Sequence, residues 1–347
     1  MEGAISGGAI FDWNSAENGA PPAGPASSPH PIPRIGTVPT RIRVVDETLR
    51  DGLQNPSGKN PPVEHKAALL PAMVKVGVDV VSVGLPAAGG RYEADTLALC
   101  AAIRDQKLPL IATAAARTVV SDVEGIARAA DKTGLEIEVY SFIGSSPIRQ
   151  YVESWSTDFL VGAVTGAAQA AARHNLPFCL VTEDTTRSHP DVLRTLFRAA
   201  VDSGARRLCL CDTTGHVTPY GVQELVTFAR TFLAEIGAPH VELDWHGHND
   251  RGLGLPIALW AAAAGVDRVH GTGLGVGERV GNTPLELLVD NLGMLGARQR
   301  PSRESLVDYC DRAALALDWE IPFDHPIAGT RARAASSQAR DASCAPA

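Results

Sequence analysis

Clustered positive charge is the first thing this sequence lacks. Its 347 residues hold 31 Lys and Arg against 39 Asp and Glu, a formal net charge of −8. Binding to nucleic acid leans on concentrated positive charge, so no nucleic-acid partner is expected. Long apolar runs are missing as well. Without 18 consecutive apolar residues no membrane-spanning helix is expected, and no membrane partner. Glu2, Asp12 and Glu17 precede the first basic residue, Arg34. That pattern fits neither a signal peptide nor a basic transit peptide, and the expected location is the cytoplasm. No C-x-x-C pair occurs among the six cysteines, at 100, 179, 209, 211, 310 and 344. They read as reduced core thiols, with Cys209 and Cys211 sharing one face of a strand. No G-x-G-x-x-G follows the first apolar strand, which weakens a dinucleotide-binding reading.

What is present is alternation. From residue 41 onward, short β-branched runs alternate with longer Ala/Leu-rich helical stretches. The strands fall at 41–48, 79–84, 109–115, 135–143, 177–184, 206–213, 241–248 and 268–275. The helices fall at 63–76, 91–104, 120–132, 158–174, 190–203, 219–235, 253–264 and 283–295. Eight such units predict an α/β fold closed as a (β/α)8 TIM barrel over 41–297. The Pro/Gly/Ala/Ser-rich residues 1–40 are expected to form a disordered extension. Residues 298–329 are expected to form a short helical C-terminal segment, and 330–347 a disordered tail.

A barrel builds its active site where the strands end. Here those ends are polar: Arg50 and Asp51, Ser82, Thr113 to Arg117, Ser141 to Ser146, Glu183 and Asp184, Asp212 and Thr213, His246 and His248, then Glu278 to Asn282. His246 and His248 in "DWHGHND" project to one face of their strand, and a ring closure brings strand 7 near Asp51 on strand 1. Two imidazoles and a carboxylate suit Zn, Mn, Co or Mg, with positions left for substrate. Arg50 beside Asp51 then gains a purpose. A cation with a guanidinium next to it can hold a 2-oxo acid while its keto oxygen gains negative charge.

Taken in register, "DETLRDGLQ", "LVTEDTTRS", "LCDTTGHVTP", "HGHNDRGLG" and "GTGLGVGERVGNTPLE" resemble the DRE-TIM metallolyase superfamily, and within it the 2-isopropylmalate, homocitrate and citramalate synthases. The resemblance covers about residues 41–297. It implies a divalent metal on Asp51, His246 and His248, with Asn282 as a further ligand or close neighbour. It implies that Arg50 stabilises the keto oxygen, that Thr213 binds the oxo acid's carboxylate, and that Glu183 and Arg187 order the site. Catalytic roles thus fall to Arg50, Glu183 and Thr213. Substrate contacts are expected from Arg50, Gln54, Ser82, Arg117, Ser141, Thr213, Glu278 and Asn282, with Arg279 in the acyl-CoA-side loop. Acetyl-CoA or another acyl-CoA is the implied co-substrate and a homodimer the implied assembly. The implied reaction is a Claisen condensation giving a 2-alkylmalate-type product. The alternatives are carbon–carbon cleavage, as in the related 3-hydroxy-3-methylglutaryl-CoA lyases that share "RDGLQN", or a degenerate barrel that only binds a metabolite or partner.

The sequence also departs from the synthase pattern. Ser82 stands where the synthases carry an acid, and the pattern is lost after Gly329, before their C-terminal histidine. His325 is then either a base or an exposed loop histidine. Tyr140 and Arg149 read as acceptor or CoA contacts, His216 as a residue that either lines the pocket mouth or acts chemically, and Trp245 and Trp260 as packing.

Overall fold

The computed structural model describes residues 11–14, 38–40 and 42–335. Residues 1–10, 15–37, 41 and 336–347, with Cys344 and most of the expected disordered ends, lie outside the described residues. Eight strands form where the β-branched runs stand: β1 (Arg43–Asp46), β2 (Val80–Ser82), β3 (Ile111–Arg117), β4 (Ile137–Gly144), β5 (Phe178–Glu183), β6 (Arg207–Asp212), β7 (Glu242–Gly247) and β8 (Arg268–Gly271). They pair in chain order and close, with Arg43 of β1 opposite Arg268 of β8 and Asp46 opposite Gly271. Every neighbouring pair is parallel. The expected (β/α)8 barrel is therefore the observed fold.

The strands are covered by α1 (Val63–Lys75), α2 (Gly90–Asp105), α3 (Val120–Thr133), α4 (Pro147–Glu153), α5 (Thr157–Arg173), α6 (Pro190–Asp202), α7 (Pro219–Glu235), α8 (Gly254–Ala264) and α9 (Leu285–Met294). A last helix, α10 (Arg303–Leu317), packs on α1. Local chemistry explains the starts. Ser146, Ser156, Thr218 and Ser302 each accept a backbone N–H at the first turn of α4, α5, α7 and α10. Proline opens α4, α6 and α7, where its missing N–H costs nothing. Sequence periodicity missed α4, whose seven residues are too few to show a period. No helix among the described residues is long and apolar enough to cross a membrane.

Strand alternation then sorts the side chains. Outward residues such as Val44, Val81, Val139, Leu180, Leu208, Leu243 and Trp245 are fully buried against the helices. Trp245 is thus packing, as its sequence suggests. Many inward residues are polar or charged instead, Glu47, Glu138, Arg207, Asp244, His246 and Arg268 among them, which is unusual for a barrel whose interior layers normally hold Val, Ile and Leu. Two stretches expected to be disordered contain ordered residues. Residues 11–14 lie against Ser188 and His189, just ahead of α6, and against α7, and residues 330–335 form a helical turn tied down by Arg333, whose Nε reaches the Ala328 carbonyl at 2.7 Å.

Candidate functional site

At the C-terminal ends of the strands the barrel opens into a cavity of about 420 Å³. Arg50, Asp51, Gln54, Ser82, Glu183, Thr213, His246, His248 and Glu278 all line it, as do Tyr140, Arg149 and Arg279. Residues from seven strand ends, predicted separately, share one space.

Its densest point lies between β1 and β7. Because β7 alternates, His246 and His248 both face inward, and their Nε2 atoms stand 3.2 Å apart. Asp51 Oδ2 lies 3.1 Å from the first and 3.6 Å from the second. One ligand atom from each of the three falls within 4.8 Å of the others, and all three residues are buried. Asn282 Nδ2 donates to Asp51 Oδ2 at 2.9 Å, while its Oδ1 is buried without a partner. Burial pushes the His248 imidazole down to about 4, against the pull of Asp51, which favours the neutral, ligand-ready form near pH 7. Burial also works against charge on Asp51, but Arg50 and the two imidazoles hold its carboxyl well below the usual range. A carboxylate, two imidazoles and an unpartnered amide oxygen converge here. That donor set fits a divalent metal.

Beside it, Arg50 is held by Glu47, whose Oε2 accepts from Nε at 2.5 Å, and by Asp51 at 3.4 Å. Glu47 faces inward and lines the cavity; Asp46 faces outward. Asp46 Oδ2 accepts from Tyr309 of α10 at 2.7 Å and its Oδ1 from the Thr48 amide at 2.8 Å. The two acids of "DETLRDG" thus divide between orienting Arg50 and fastening the strand end to α10.

Thr213 has a directed hydroxyl. The Asp184 amide donates to its Oγ1 at 2.8 Å, leaving the hydroxyl hydrogen for a ligand in the cavity. Burial pushes the Glu183 carboxyl up, opposed by Arg149 at 3.3 Å. The loop after β8 closes over Asn282 because Gly277 has no side chain: a Cβ there would lie 1.8 Å from Asn282 Oδ1. Gly281 (φ +97°) is equally constrained, a Cβ falling 1.9 Å from the Gly275 carbonyl oxygen.

Three expected substrate contacts do not line the cavity: Arg117, Ser141 and Asn282, the last lying buried beside Asp51. Arg117 leaves the end of β3 to form a bidentate pair with Asp122 in the first turn of α3, at 2.8 and 2.9 Å. Ser141 falls between the inward Tyr140 and Phe142, so alternation turns it outward. Arg187 is paired with Asp184 through both carboxylate oxygens. His216 does not line the cavity; its ring meets Asn14, with Nδ2 to Nε2 3.4 Å. His325 is not an exposed loop histidine, and it does not line the cavity. It is buried, 3.0 Å from Glu286 Oε1, while its Nδ1 accepts from the Ala328 amide at 3.1 Å. The sequence reading overlooked His270, which lines the cavity between Glu47 and Asp244, 3.3 Å from each. Its strand parity, shared with inward Arg268, was the available signal.

Comparison with known proteins adds an independent line. The HMGL-like family matches residues 41–312. A probable 2-isopropylmalate synthase of Methanopyrus kandleri is 32% identical over 304 residues, covering 86% of this chain and 57% of that protein. The 2-isopropylmalate synthase of Pyrococcus abyssi is 32% identical over 251 residues, covering 72% of this chain and 50% of its own length. The chain therefore spans about half the length of these curated relatives. Among solved structures, the hydroxymethylglutaryl-CoA lyase of Pseudomonas aeruginosa is similar at a TM-score of 0.69 and 22% identity, covering 87% of this chain and 99% of that one. At that identity the likeness is one of fold.

Proposed function

The chain belongs to the HMGL-like family, the metallolyase group its strand-end motifs resemble, and from that premise we propose that it condenses an acyl-CoA, acetyl-CoA foremost, with a 2-oxo acid. The observation that carries this reading is the convergence of Asp51, His246 and His248 beside Arg50 in a cavity also lined by Thr213. Asp51, His246 and His248, with Asn282 beside them, would hold a divalent cation. When bound, such a cation supplies Lewis-acid polarisation of the keto group.

The remaining work falls to side chains. The Thr213 hydroxyl donates to the oxo acid's carboxylate, which fixes the ketone's orientation. Glu183, whose carboxyl burial pushes up, takes a proton from the acetyl methyl group. The methyl carbon then bonds to the keto carbon, and the keto π electrons move onto oxygen. Arg50, already oriented by Glu47, donates to that oxygen as its charge grows. The proton held by Glu183 passes to the new alkoxide, giving the tertiary alcohol, and water then cleaves the thioester, releasing CoA and a 2-alkylmalate-type dicarboxylate. A homodimer in the cytoplasm is the setting this reading carries with it.

Cleavage of a 3-hydroxy-3-methylglutaryl-CoA-like substrate is the second reading, favoured by "RDGLQN" at Arg50–Asn55. Its last residue has a local explanation, however: Asn55 Nδ2 donates to the Gly52 carbonyl at 2.7 Å and its Oδ1 accepts from the Ser57 amide at 2.9 Å. The turn needs that asparagine whatever the reaction.

The test is thiol release from acetyl-CoA across a panel of 2-oxo acids, with and without divalent metal. Condensation predicts CoA release only when metal and one of the oxo acids are both present. Silence across the panel, with cleavage of a 3-hydroxyacyl-CoA instead, would overturn it.

A further inference from the structure

We infer that Phe11–Asn14 is an intramolecular clasp that positions the loop after β6, and through it the substrate-facing Thr213 hydroxyl. The segment lies in a stretch whose composition reads as a disordered extension, and no part of the proposed chemistry uses it. Its fit against the barrel is nonetheless specific. Trp13 is 4% exposed. Its indole Nε1 donates to the Ser188 carbonyl at 3.2 Å, and its ring sits 5.1 Å from Phe228 of α7. Phe11 meets it edge-on, with ring centroids 4.8 Å apart. A buried tryptophan with its N–H satisfied is an anchor that holds a short segment in one register.

That register aims Asn14 at the β6 loop. Asn14 Oδ1 accepts from the Thr218 amide at 2.7 Å and from the Thr218 hydroxyl at 2.9 Å. Its Nδ2 reaches the His216 carbonyl at 3.5 Å. Thr218 caps α7, and its own amide would otherwise lack an acceptor there. The receiving surface is shaped for the guest: a Cβ at Gly221 would stand 2.4 Å from Asn14 Oδ1. One side-chain amide thus ties down a loop about 200 positions away.

The loop leads directly to the site. Thr213 lines the cavity at its start. Gly215 packs so closely under residues 248–250 that a Cβ would lie 3.0 Å from the Asp250 amide and 3.3 Å from the His248 carbonyl oxygen. Arg251 joins the same knot, donating to the His216 carbonyl at 2.8 Å. Freeing Thr218 and His216 from Asn14 loosens the far end of a segment whose near end faces substrate. Asn14 is accordingly a positioning residue that acts through 216–218.

The substrate half of this inference rests on the proposed function; the clasp itself does not, so two readouts separate them. In the full-length chain, Asn14→Ala is compared with Asn14→Asp, which keeps an oxygen for Thr218. Amide hydrogen exchange is followed across the barrel, and KM and kcat are measured with the 2-oxo acid that supports CoA release. Losing these hydrogen bonds is expected to speed exchange at residues 216–221 roughly three- to tenfold. KM should rise by a similar factor while kcat stays within about twofold. Asn14→Asp should restore most of the protection. Unchanged exchange in Asn14→Ala, or loosening spread evenly over the strands, overturns the clasp. Local loosening with an unchanged KM overturns its role at the site. Local loosening in a protein that releases no CoA with any oxo acid leaves the clasp standing and sinks the proposed function instead.

Discussion

The two ends of the barrel interior are both charged and both hollow, yet only one has the makings of a site. The N-terminal end holds a cavity of about 540 Å³, larger than the 420 Å³ cavity at the C-terminal end. Around it, each inward guanidinium has a carboxylate. Arg268 meets Glu138 at 2.5 Å, Arg207 meets Asp244 at 3.2 Å, and Arg43 meets Glu242 at 2.6 Å. Tyr140 links this set to the middle of the barrel, donating to Asp244 at 2.5 Å and accepting from Arg268 at 2.9 Å. At the C-terminal end Asp51, His246, His248 and the Asn282 amide oxygen converge on one another, with Arg50 to one side of Asp51 at 3.4 Å. Volume and charge therefore do not mark the site. What marks it is a set of metal-type ligand atoms converging on one point, where the other end sets guanidinium against carboxylate.

The sharpest way to break this comparison is to remove one member from each end. Asp51→Asn or His246→Ala should lower kcat/KM for CoA release by about a thousandfold or more, on the order of 4 kcal/mol in the barrier, with little change in the melting curve. Arg268→Met should do the reverse. It leaves the Glu138 carboxylate without its closest cation, and removing one member of a buried pair costs about 3–5 kcal/mol in urea unfolding. Activity per folded molecule should change little. If Arg268→Met silences a stably folded enzyme, the division between scaffold and site fails.

Asp46 lies at the site end but belongs to the scaffold, so it sharpens the border. Burial pushes its carboxyl up to about 6, against the hydrogen bonds from Thr48 and Tyr309. A folded-state value above the unfolded one means the folded protein holds the proton more tightly. Its contribution is fully present below about pH 4 and is lost as pH rises through about 6. Relative to Asp46→Asn, the parent chain should lose about 3 kcal/mol between pH 4 and 7, read from paired denaturation curves. The smallest effect is expected at Thr213→Val, which keeps the shape and removes the hydroxyl. KM for the oxo acid should rise about tenfold, some 1.4 kcal/mol, with kcat nearly constant.

Much of this was legible in the sequence because it depends on short-range periods. Strand alternation alone puts His246 and His248 on one face, and the eight-unit repeat brings them round to Asp51. What escaped depends on paths that no local period encodes. Arg117 has inward parity, but Asp122 five residues later captures it. Ser141 stands near a strand end, yet parity counted from Tyr140 turns it outward. His325 required knowing that the C-terminal segment folds back on Glu286. Trp13 and Asn14 sit among prolines and glycines whose composition masks a four-residue anchor.

The central claim, that the convergent donors at the C-terminal end form a metal site, is tested most directly by calorimetric titration of Mn²⁺ or Zn²⁺ into metal-stripped protein, comparing the parent chain with His246→Ala and Arg268→Met. The account predicts one ion per chain in the parent and in Arg268→Met, and none in His246→Ala. Undiminished binding in His246→Ala would contradict it.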